Sequence, residues 1–409
     1  MYSYIIVVRY TMNFDLTEEA KKQLDYMIAR HRYLHRHPCV SFHEEDARDY
    51  LATEIAALGP DTLRPCGKNG LVADLHGHTG GKTIAFRADM DALPIQEETG
   101  LPFASENPGV MHACGHDFHT TALLGAARLL SEARETLPGT VKFLFQPDEE
   151  GEGGAARMIA QGCLEDPAVE AAFCVHVDSA LPAGTAAVGE GTVCAASDPF
   201  SLCLRGRGTH GAKPHLGDDV ICAGAQIVTA LQTVASRRTD PAEPVVVTVG
   251  TFHAGQAGNA LPEEAALTGI LRTMGGQARE RVRAEVRAIV SGVSSAMGVE
   301  ADLQIVESYP ACRNAPALAA LLRRAAGEIL GADRVLPLSA PSMGADDFGC
   351  FSGAVPGCYW SIGVGSGGKG VCWPNHSPRF AADPAALPLA AAIHARTVLD
   401  YLNMRRTKA

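Results

Sequence analysis

Three histidines, a cysteine and an aspartate lie within nine residues, in the run MHACGHDFH at positions 111–119. Cys114 and His116 are two residues apart, so their side chains project to the same side if this segment is extended. Thiolate and imidazole are ligands that a divalent zinc, manganese, cobalt or nickel ion accepts. The segment therefore predicts a metal site. The open alternative is a helix N-terminus that Asp117 caps, with histidines that are merely polar.

A second candidate segment, QPDEEG at positions 146–151, directly follows the apolar run 141–145. Such a run is typical of a strand buried on both faces, and open α/β sheets place ligands beyond the carboxyl ends of their strands. Adjacent carboxylates there can divide the work, since one can bind a metal while the other faces a bound water. A solvated acidic turn is the alternative.

Two further histidines are candidates by position. His176 lies near the end of the apolar run 171–177, and His376 lies in a loop between Pro374 and Pro378 that would hold it rigidly. A lone histidine in a strand is more often a satisfied core residue than a ligand, so each is open until its neighbours are known.

Alternating helices and strands must position these residues. Helical periodicity and capping signals predict helices over 17–58, with a break at His37-Pro38, and over 117–134 and 155–161. Apolar runs predict strands over 71–75, 83–87, 141–145 and 171–177, the first two as a hairpin because glycines separate them. This alternation indicates an α/β domain with a mostly parallel sheet.

The pattern changes near residue 197. It predicts strands over 200–205, 245–251, 265–273 and 301–307, and helices over 218–236 and 278–293. The order βαββαβ is that of a ferredoxin-like α+β unit. Helical and strand signals resume after Pro310, over 315–330, 358–362 and 384–401. We therefore expect a discontinuous domain, 12–196 and 310–409, with an insert at 197–309.

Composition restricts the function classes. The 409 residues include 35 Lys+Arg and 46 Asp+Glu, a net charge of −11, with 46% hydrophobic and 20% charged residues. A chain of this composition has enough apolar residues to form hydrophobic cores and is not disordered. Its negative charge argues against a nucleic-acid partner or an anionic membrane.

Targeting signals and disulfides are not expected. The apolar stretch 4–8 is far shorter than a membrane span and lacks a cleavage site, and Met12 opens a more ordinary start, so residues 1–11 are interpreted as an upstream extension. The 12 cysteines are too few for a disulfide scaffold, and none forms a C-x-x-C pair. We expect reduced thiols and a cytoplasmic protein.

Two glycine-rich runs resemble phosphate loops only superficially. Residues 206–211 match G-x-G-x-x-G, but Pro214 follows where a helix would have to begin. Residues 363–370 nearly match a Walker A loop but end Gly-Gly-Lys-Gly, without the Ser or Thr that holds magnesium. Both are interpreted as turns.

The motifs taken together resemble the M20 peptidase family. They are LHRHP (34–38), ADMDALPI (88–95), MHACGHDFHT (111–120), QPDEEGEGGA (146–155), HGAKPH (210–215), NALPEEAALTGILRT (259–273), PSMGADDF (341–348) and NHSPRF (375–380). The branch that they resemble contains amidohydrolases of the aminoacylase, hippurate hydrolase and auxin-conjugate hydrolase type. The likeness runs from about residue 17 to the C-terminus, in the family's order.

The resemblance implies a two-metal centre, with manganese or zinc favoured and cobalt or nickel as other options. Glu149 matches the family's general base, and Asp91 matches a residue that orients a ligand from outside the metal's own shell. The implied metal ligands are the bridging Cys114 together with His116, Glu150, His176 and His376.

The resemblance also assigns the insert to the family's lid, which usually forms a dimer. His210 matches a histidine that reaches a neighbouring active site and would stabilise an oxyanion. Asn259 and Arg272 match substrate contacts, and Arg272 would pair with an α-carboxylate. The implied partners are a small N-acyl amino acid substrate and further copies of this chain, without nucleic acid or membrane.

Three departures from the family bear on substrate identity. Cys39 stands where the branch usually has Glu, Asp148 replaces a small residue before the glutamate pair, and 177–179 replace an aromatic-containing continuation. None removes an implied ligand. Asp148 adds a third negative charge that would raise the pKa of Glu149.

Metal-dependent hydrolysis of N-acyl or N-aroyl amino acids is the leading hypothesis. The alternatives are a dipeptidase or carboxypeptidase of the same family, a cysteine amidase with Cys114 as nucleophile, and a non-catalytic dimer that binds acyl amino acids or metal. The glutamate pair and the outlying histidines favour the metal enzyme, because a Cys-His enzyme would not need them.

Overall fold

The computed structural model describes residues 15–78, 80–365 and 373–404, so the proposed upstream extension and most of the 363–370 loop lie outside the described ranges. The described residues fall into two compact units. The first is drawn from Met1–Gly191, Arg313–Ser339 and Cys350–Ala409, and the second from Thr192–Cys312 and Ala340–Gly349. The second therefore begins and ends near the expected insert 197–309 and adds a short segment beyond it.

The described helices, in chain order, are α1 (Leu16–Lys22), α2 (Leu24–Arg36), α3 (Glu45–Ala56), α4 (His116–Glu132), α5 (Gly154–Ala160), α6 (Val220–Arg237), α7 (Gly276–Met297), α8 (Pro316–Leu330), α9 (Phe348–Ala354) and α10 (Leu387–Asn403). The strands are β1 (Thr62–Cys66), β2 (Gly70–His76), β3 (Lys82–Asp89), β4 (Gly139–Gln146), β5 (Ala171–Pro182), β6 (Ala186–Val188), β7 (Gly191–Cys194), β8 (Ala196–Arg205), β9 (Thr209–His210), β10 (Val245–Ala254), β11 (Ala260–Leu261), β12 (Glu264–Thr273), β13 (Glu300–Ile305), β14 (Cys312–Asn314), β15 (Val335–Pro337) and β16 (Gly357–Gly365).

A mixed sheet forms the centre of the first unit. Its strands run in the order β1-β2-β4-β3-β5-β16-β14. The pairs β4 with β3, β3 with β5, β5 with β16 and β16 with β14 are parallel, whereas β1, β2 and β4 pair antiparallel. The predicted α/β class with a mainly parallel sheet is confirmed.

The helices α4 and α10 pack on this sheet and supply much of its apolar core. Almost every residue of α4 is buried, including Phe118, Leu123, Leu124 and Leu130, because its Ala- and Leu-rich sequence is apolar on nearly all sides. A helix of this kind is stable only inside a protein. The N-terminus of α4, where His116 lies, is therefore held firmly against the sheet.

The predicted hairpin of 71–75 and 83–87 is wrong. These residues lie in β2 and β3, but β4 lies between the two strands and pairs with both. β2 instead pairs with β1, a strand that we did not predict, through a tight turn at residues 67–69. Glycines between apolar runs mark chain reversals without specifying which strands pair.

The second unit has its own sheet and core. Its strands run in the order β10-β12-β8-β13, and each neighbouring pair is antiparallel. With α6 and α7 this gives the predicted ferredoxin-like βαββαβ connectivity. Apolar residues of the sheet and both helices, among them Leu202, Ile227, Leu271 and Val286, form a core separate from that of the first unit.

No helix within the described ranges combines the length and apolar composition that crossing a lipid bilayer requires.

Candidate metal centre

The parallel strands bring the candidate residues of the first unit to one edge of the sheet. Asp89 ends β3 and Asp91 follows two residues later, while Glu149 and Glu150 follow the end of β4. His176 lies in β5, two residues past Cys174, where β5 stops pairing with β3. This is the carboxyl end of the sheet, where open α/β folds bind ligands.

A left-handed glycine sets the approach of Cys114 and His116. Gly115 has φ +83°, and a Cβ at this position would lie 2.6 Å from Val177 Cγ2. Glycine adopts this conformation without a steric penalty, and here only glycine also fits beside β5. Cys114 lies in a turn that the Gly115 amide closes by donating to His112 O at 3.3 Å, and not in the extended segment considered from the sequence, and His116 begins α4.

The glutamate pair lies in a tight, buried turn and not in the solvated turn considered as an alternative. Asp148 has φ +58°, its amide donates to Glu44 Oε1 at 2.9 Å, and its Oδ1 accepts from the Glu152 amide at 3.1 Å. Asp148 is completely buried and Glu149 is 7% exposed. Aspartate tolerates the left-handed region better than most residues, so it can close this turn.

His376 reaches the same place from a loop. Its backbone has φ +67°, and its amide donates to Ala113 O at 2.8 Å. The neighbouring Asn375 donates from Nδ2 to Cys114 O at 3.2 Å. The loop is thereby tied to the segment that carries Cys114.

Five side chains form two groups that share Cys114. The potential ligand atoms of Cys114, His116 and His176 lie within 4.8 Å of one another, and so do those of Cys114, Glu150 and His376. Cys114 Sγ lies 3.5 Å from His176 Nε2, and Glu150 Oε1 lies 3.2 Å from His376 Nε2. One thiolate between two groups of this kind suits a bridging ligand between two ions.

Glu149 lies beside both groups. Its Oε2 is 3.9 Å from His116 Nε2, the same distance that separates His116 Nε2 from Glu150 Oε1. His116, Glu149 and Glu150 also form a third potential ligand group. The structure therefore brings the predicted base and all five predicted ligands together.

The cysteine, the histidines and the carboxylates at the centre stabilise one another's charged forms. Burial alone would raise the pKa of the Cys114 thiol, but the charge of His176 and of the other imidazoles holds it well below its usual range. Burial alone would lower the pKa of His116, yet the carboxylate of Asp89 raises it well above its usual value. Hydrogen bonding to Cys114 and Glu150 raises the pKa of His376 to about 10.

These residues fit a divalent metal pair. His116 Nε2 is buried and has no hydrogen-bond partner among the described residues, although carboxylate oxygens of Glu149 and Glu150 lie 3.9 Å away. A buried imidazole nitrogen without a hydrogen bond is unusual and is suited to bind an ion. A thiolate held in its ionised form, three imidazoles and a carboxylate are the donor set of a borderline divalent ion. Metal binding requires deprotonated ligands, so an ion would displace the protons of the imidazoles. The negative charges of the thiolate and the carboxylate would offset the charge of the ion.

Asp91 holds His116 from behind. Its Oδ1 lies 3.3 Å from His116 Nδ1, and its Oδ2 accepts from the Ser41 hydroxyl at 2.7 Å and from the Glu150 amide at 2.9 Å. One carboxylate thus orients the ring of His116 and the backbone of Glu150. We did not predict Ser41 as a site residue, because a lone serine in the turn after a helix matches no functional sequence motif.

Asp117 is not the N-cap of α4, as the alternative interpretation of this segment required. The N-cap is Gly115, and Asp117 Oδ1 accepts only from the amide of the next residue, Phe118, at 2.9 Å. Its Oδ2 accepts from His35 Nδ1 at 2.7 Å and contacts His31 Nε2 at 3.1 Å, while His35 Nε2 lies 3.3 Å from Glu97 Oε1. Both ring nitrogens of His35 therefore have carboxylate partners. The potential ligand atoms of His31, His35 and Asp117 also lie within 4.8 Å of one another, but Asp117 pairs with both histidines, so the three side chains form a polar cluster between α2 and α4.

Three predicted residues lie in the second unit. His210 in β9 pairs across from Ala260, and the Gly211 amide donates to Asn259 O at 2.7 Å, so His210 and Asn259 are neighbours. Both are exposed, and His210 Nδ1 accepts from the Ala212 amide at 3.0 Å. Arg272 lies half-buried in β12, opposite Ser197. Their predicted contacts with substrate stay predictions.

Comparisons with known proteins identify the family to which this chain belongs. Residues 85–400 match the family described as Peptidase family M20/M25/M40. Thermostable carboxypeptidase 1 of Saccharolobus solfataricus is 34% identical over 397 residues, which cover 95% of this chain and 100% of that protein. An N-acyl-L-amino acid amidohydrolase of Geobacillus stearothermophilus is 41% identical over 297 residues, 71% of this chain and 80% of that protein.

A solved structure gives the same result for the fold. The YXEP protein of Bacillus subtilis, described as a dinuclear metal binding peptidase from the M20 family, superposes with a TM-score of 0.79 at 32% identity. The match covers 94% of this chain and 100% of that one. The chain belongs to peptidase family M20/M25/M40 and is a hydrolase.

Proposed function

We propose that this protein hydrolyses the amide bond of N-acyl or N-aroyl amino acids at a centre of two divalent metal ions, with Glu149 as general base. The observation that carries the proposal is the pair of ligand groups that share Cys114, with Glu149 beside them. The relative from Geobacillus stearothermophilus, named for this reaction, supports the substrate class.

The ligands in this proposal are Cys114, His116, Glu150, His176 and His376. When bound, two divalent ions would lower the pKa of a water molecule and polarise the substrate carbonyl. Manganese and zinc are our first choices, with cobalt and nickel as further options, because imidazole, thiolate and carboxylate donors suit all of them.

Glu149 would move the proton. Its carboxylate takes a proton from the attacking water and returns it to the departing amine, which must leave protonated because an amide anion is a very poor leaving group. The turn closed by Asp148 holds Glu149 beside the ligands. The carboxylate of the next residue, Glu150, contacts His376 Nε2 instead. Glu149 is 7% exposed, so its carboxylate has little contact with bulk solvent.

The lid residues complete the proposal. His210 would stabilise the oxyanion, and Arg272 would offer a bidentate fork to the α-carboxylate of the leaving amino acid, with Asn259 as a further substrate contact. We also expect a homodimer or higher homo-oligomer, which light scattering would measure.

A panel assay tests the substrate class. The protein is stripped with a chelator, dialysed, reloaded with Mn²⁺ or Zn²⁺ and given N-acetyl and N-benzoyl amino acids, the matching amino acid amides and unblocked dipeptides. We expect amine release from the N-acyl amino acids in the metal-loaded samples, and none in the stripped sample. Full activity after exhaustive metal removal would contradict the proposal.

A carboxypeptidase is the second candidate, because the relative from Saccharolobus solfataricus with that name aligns over 95% of this chain. Both reactions release an amino acid with a free α-carboxylate. The same panel, extended with N-blocked peptides, separates them, since a carboxypeptidase would prefer those peptides over simple N-acyl amino acids at equal concentration.

A cysteine amidase is disfavoured by the surroundings of Cys114. This residue is 8% exposed, and potential ligand atoms of two separate groups surround its sulfur. Alkylation that abolishes activity irrespective of chelators, together with a covalent acyl-enzyme, would support that alternative, whereas protection of the thiol by bound metal supports ours.

A further inference from the structure

A buried histidine without an assigned role lies between two of the proposed ligands. The ring of His119 has its centroid 5.4 Å from that of His116 and 4.6 Å from that of His176, whereas the two outer rings are 6.4 Å apart. His119 is completely buried. It follows His116 by three residues, so both side chains lie on one face of α4.

Both ring nitrogens of His119 have protein partners. His119 Nδ1 lies 2.6 Å from Asp89 Oδ1, and His119 Nε2 lies 2.9 Å from the amide nitrogen of Val177. A backbone amide can only donate, so Nε2 must be the acceptor and carries no proton. The proton is then on Nδ1 and is donated to Asp89, which fixes a neutral ring in one tautomer.

Asp89 is itself fixed. Its Oδ2 accepts from Arg87 Nη1 at 2.7 Å, and Arg87 Nε donates to Gln146 Oε1 at 2.7 Å. Thr120 Oγ1, at the start of the second turn of α4, donates to the Asp89 carbonyl at 2.8 Å. All of these side chains are buried, so the network joins β3, β4 and the start of α4 through direct contacts.

The network lies next to a proposed ligand on each side, since Asp89 Oδ2 is 3.7 Å from His116 Nε2 at one end and the network reaches the backbone beside His176 at the other. Val177 directly follows His176, so the bond from its amide to His119 fixes the backbone of β5 where His176 leaves the sheet. His176 Nδ1 is also held, since it donates to the Val177 carbonyl at 2.8 Å, which leaves Nε2 directed towards Cys114.

We propose that His119 is a positioning residue of the metal centre: held in one tautomer by Asp89 and the Val177 amide, it sets the separation between His116 and His176 and binds no metal. The inference rests on the proposed metal centre. The potential ligand atoms of His119, Asp89 and His116 lie within 4.8 Å of one another, but both ring nitrogens of His119 already have protein partners and neither is available to an ion. Outer partners of this kind typically change metal affinity by about 10–100-fold when removed.

Two near-isosteric variants separate its two hydrogen bonds. In His119→Asn the amide nitrogen occupies the place of Nδ1 and still donates to Asp89, but the Val177 amide loses its acceptor. In His119→Gln the amide oxygen occupies the place of Nε2 and still accepts from Val177, but the bond to Asp89 is lost. The matched control is His394→Asn, because His394 is also a fully buried histidine, and neither of its ring nitrogens has a hydrogen-bond partner among the described residues.

The readouts do not depend on turnover. Metal affinity is measured by chelator competition, the coordination geometry by the absorption spectrum of the Co²⁺-loaded protein, and the Val177 amide by hydrogen exchange on metal-free protein. We expect His119→Asn to lose about 10–100-fold in affinity, with an altered Co²⁺ spectrum and faster exchange at Val177. His119→Gln should keep the slow exchange and lose less affinity, and His394→Asn should bind metal normally.

Two results would overturn the proposal. Wild-type affinity and spectrum in both His119 variants would show that the network only stabilises the fold. A fall in stoichiometry from two ions to one in both variants, with a metal-induced shift of the His119 ring nitrogen resonances in the wild type, would make His119 a ligand. Neither result depends on hydrolysis, so a wild-type protein that binds two ions but cleaves no N-acyl amino acid would refute the proposed function alone.

Discussion

Consecutive carboxylates at the centre have different surroundings. Glu150 Oε1 lies 3.2 Å from His376 Nε2 and 3.9 Å from His116 Nε2, between two proposed ligands, whereas Glu149 Oε2 approaches the centre from the side of His116, at 3.9 Å from its Nε2. A carboxylate among ligands is suited to binding, and one at their side is suited to proton transfer. The two residues are therefore distinguishable by mutation.

Glu149→Gln should keep metal binding and lose turnover. The amide has nearly the shape of the carboxylate but cannot accept a proton, so kcat should fall by about 10²–10⁴-fold while metal stoichiometry stays at the wild-type value. Glu152→Gln is the matched control, because Glu152 lies on the same turn but its side chain is 76% exposed and pairs with Arg157. Near-normal kcat in Glu149→Gln would remove Glu149 from the role of base.

The His35 cluster makes a pH-dependent contribution to stability. Burial alone would lower the pKa of His35, but hydrogen bonds to Asp117 and Glu97 raise it to about 10 from an ordinary value of 6.5. Because the folded-state pKa is the higher one, this stabilisation is fully present below pH 6.5 and is lost as the pH rises through 10. His35→Gln should therefore lower the free energy of unfolding most below about pH 6.5 and least near pH 10.

Urea denaturation of wild type and His35→Gln at several values between about pH 6 and 10 measures this difference. Subtracting the two curves at each pH removes the titration of groups that the variants share. A difference that is constant across the range would mean that His35 contributes through packing against Phe103, whose ring it contacts, and not through its charge.

Residue types alone did not assign these roles. The spacing of Cys114 and His116 indicated a metal site from elementary chemistry, but the separate roles of Glu149 and Glu150 came from the family resemblance. His119 stood in the same run as the ligands and gave no signal of its own, because its surroundings depend on distant residues. Its hydrogen-bond partners are 30 and 58 positions away, and only the fold brings them together.

At the scale of elements, the junction between Cys114 and α4 depends on one glycine. Gly115→Ala should be costly for two reasons, because φ +83° is unfavourable for alanine and its Cβ would lie 2.6 Å from Val177 Cγ2. Gly100→Ala isolates the first effect, since Gly100 has φ +70° and a Cβ there would have no atom within 4 Å. The backbone effect alone is about 1–2 kcal/mol.

We therefore expect Gly115→Ala to lower the free energy of unfolding by more than Gly100→Ala, and also to weaken metal binding, which Gly100→Ala should leave unchanged. Chemical denaturation and chelator competition measure the two effects. Equal losses of stability, with wild-type metal affinity in both, would show that β5 moves away to accommodate the methyl group.

The elements also show where local sequence patterns fail. Helix α4 and strand β4 were predictable because their apolar periodicity is local and strong, and their bounds differ from prediction by about one or two residues. The pairing of β2 and β3 was predicted wrongly because β4, which enters the sheet between them, lies far along the chain beyond α4. Strand order depends on such distant segments, and a turn signal carries no information about them.

The whole molecule has two separate hydrophobic cores, and the proposed metal ligands belong to the unit that contains the first of them. All five proposed ligands and Glu149 belong to the first unit, while the second unit has a complete antiparallel sheet, two covering helices and its own apolar cluster. A unit of this kind can fold alone. Metal binding should accordingly stabilise one core and leave the other unaffected.

A calorimetric comparison tests this division. A ligand that binds only the native state stabilises it by about 2.7 kcal/mol at a free concentration roughly a hundred times its dissociation constant. Adding Mn²⁺ or Zn²⁺ to the full chain should raise the melting temperature of the first unit, and a chelator should reverse the shift. The isolated segment 192–312, which contains β8, α6, β10, β12, α7 and β13, should unfold cooperatively at a temperature that neither treatment changes. A metal-dependent shift in that segment would show that ions also bind outside the proposed ligands, while a full chain that melts identically with and without metal would mean that the five residues do not form a metal centre.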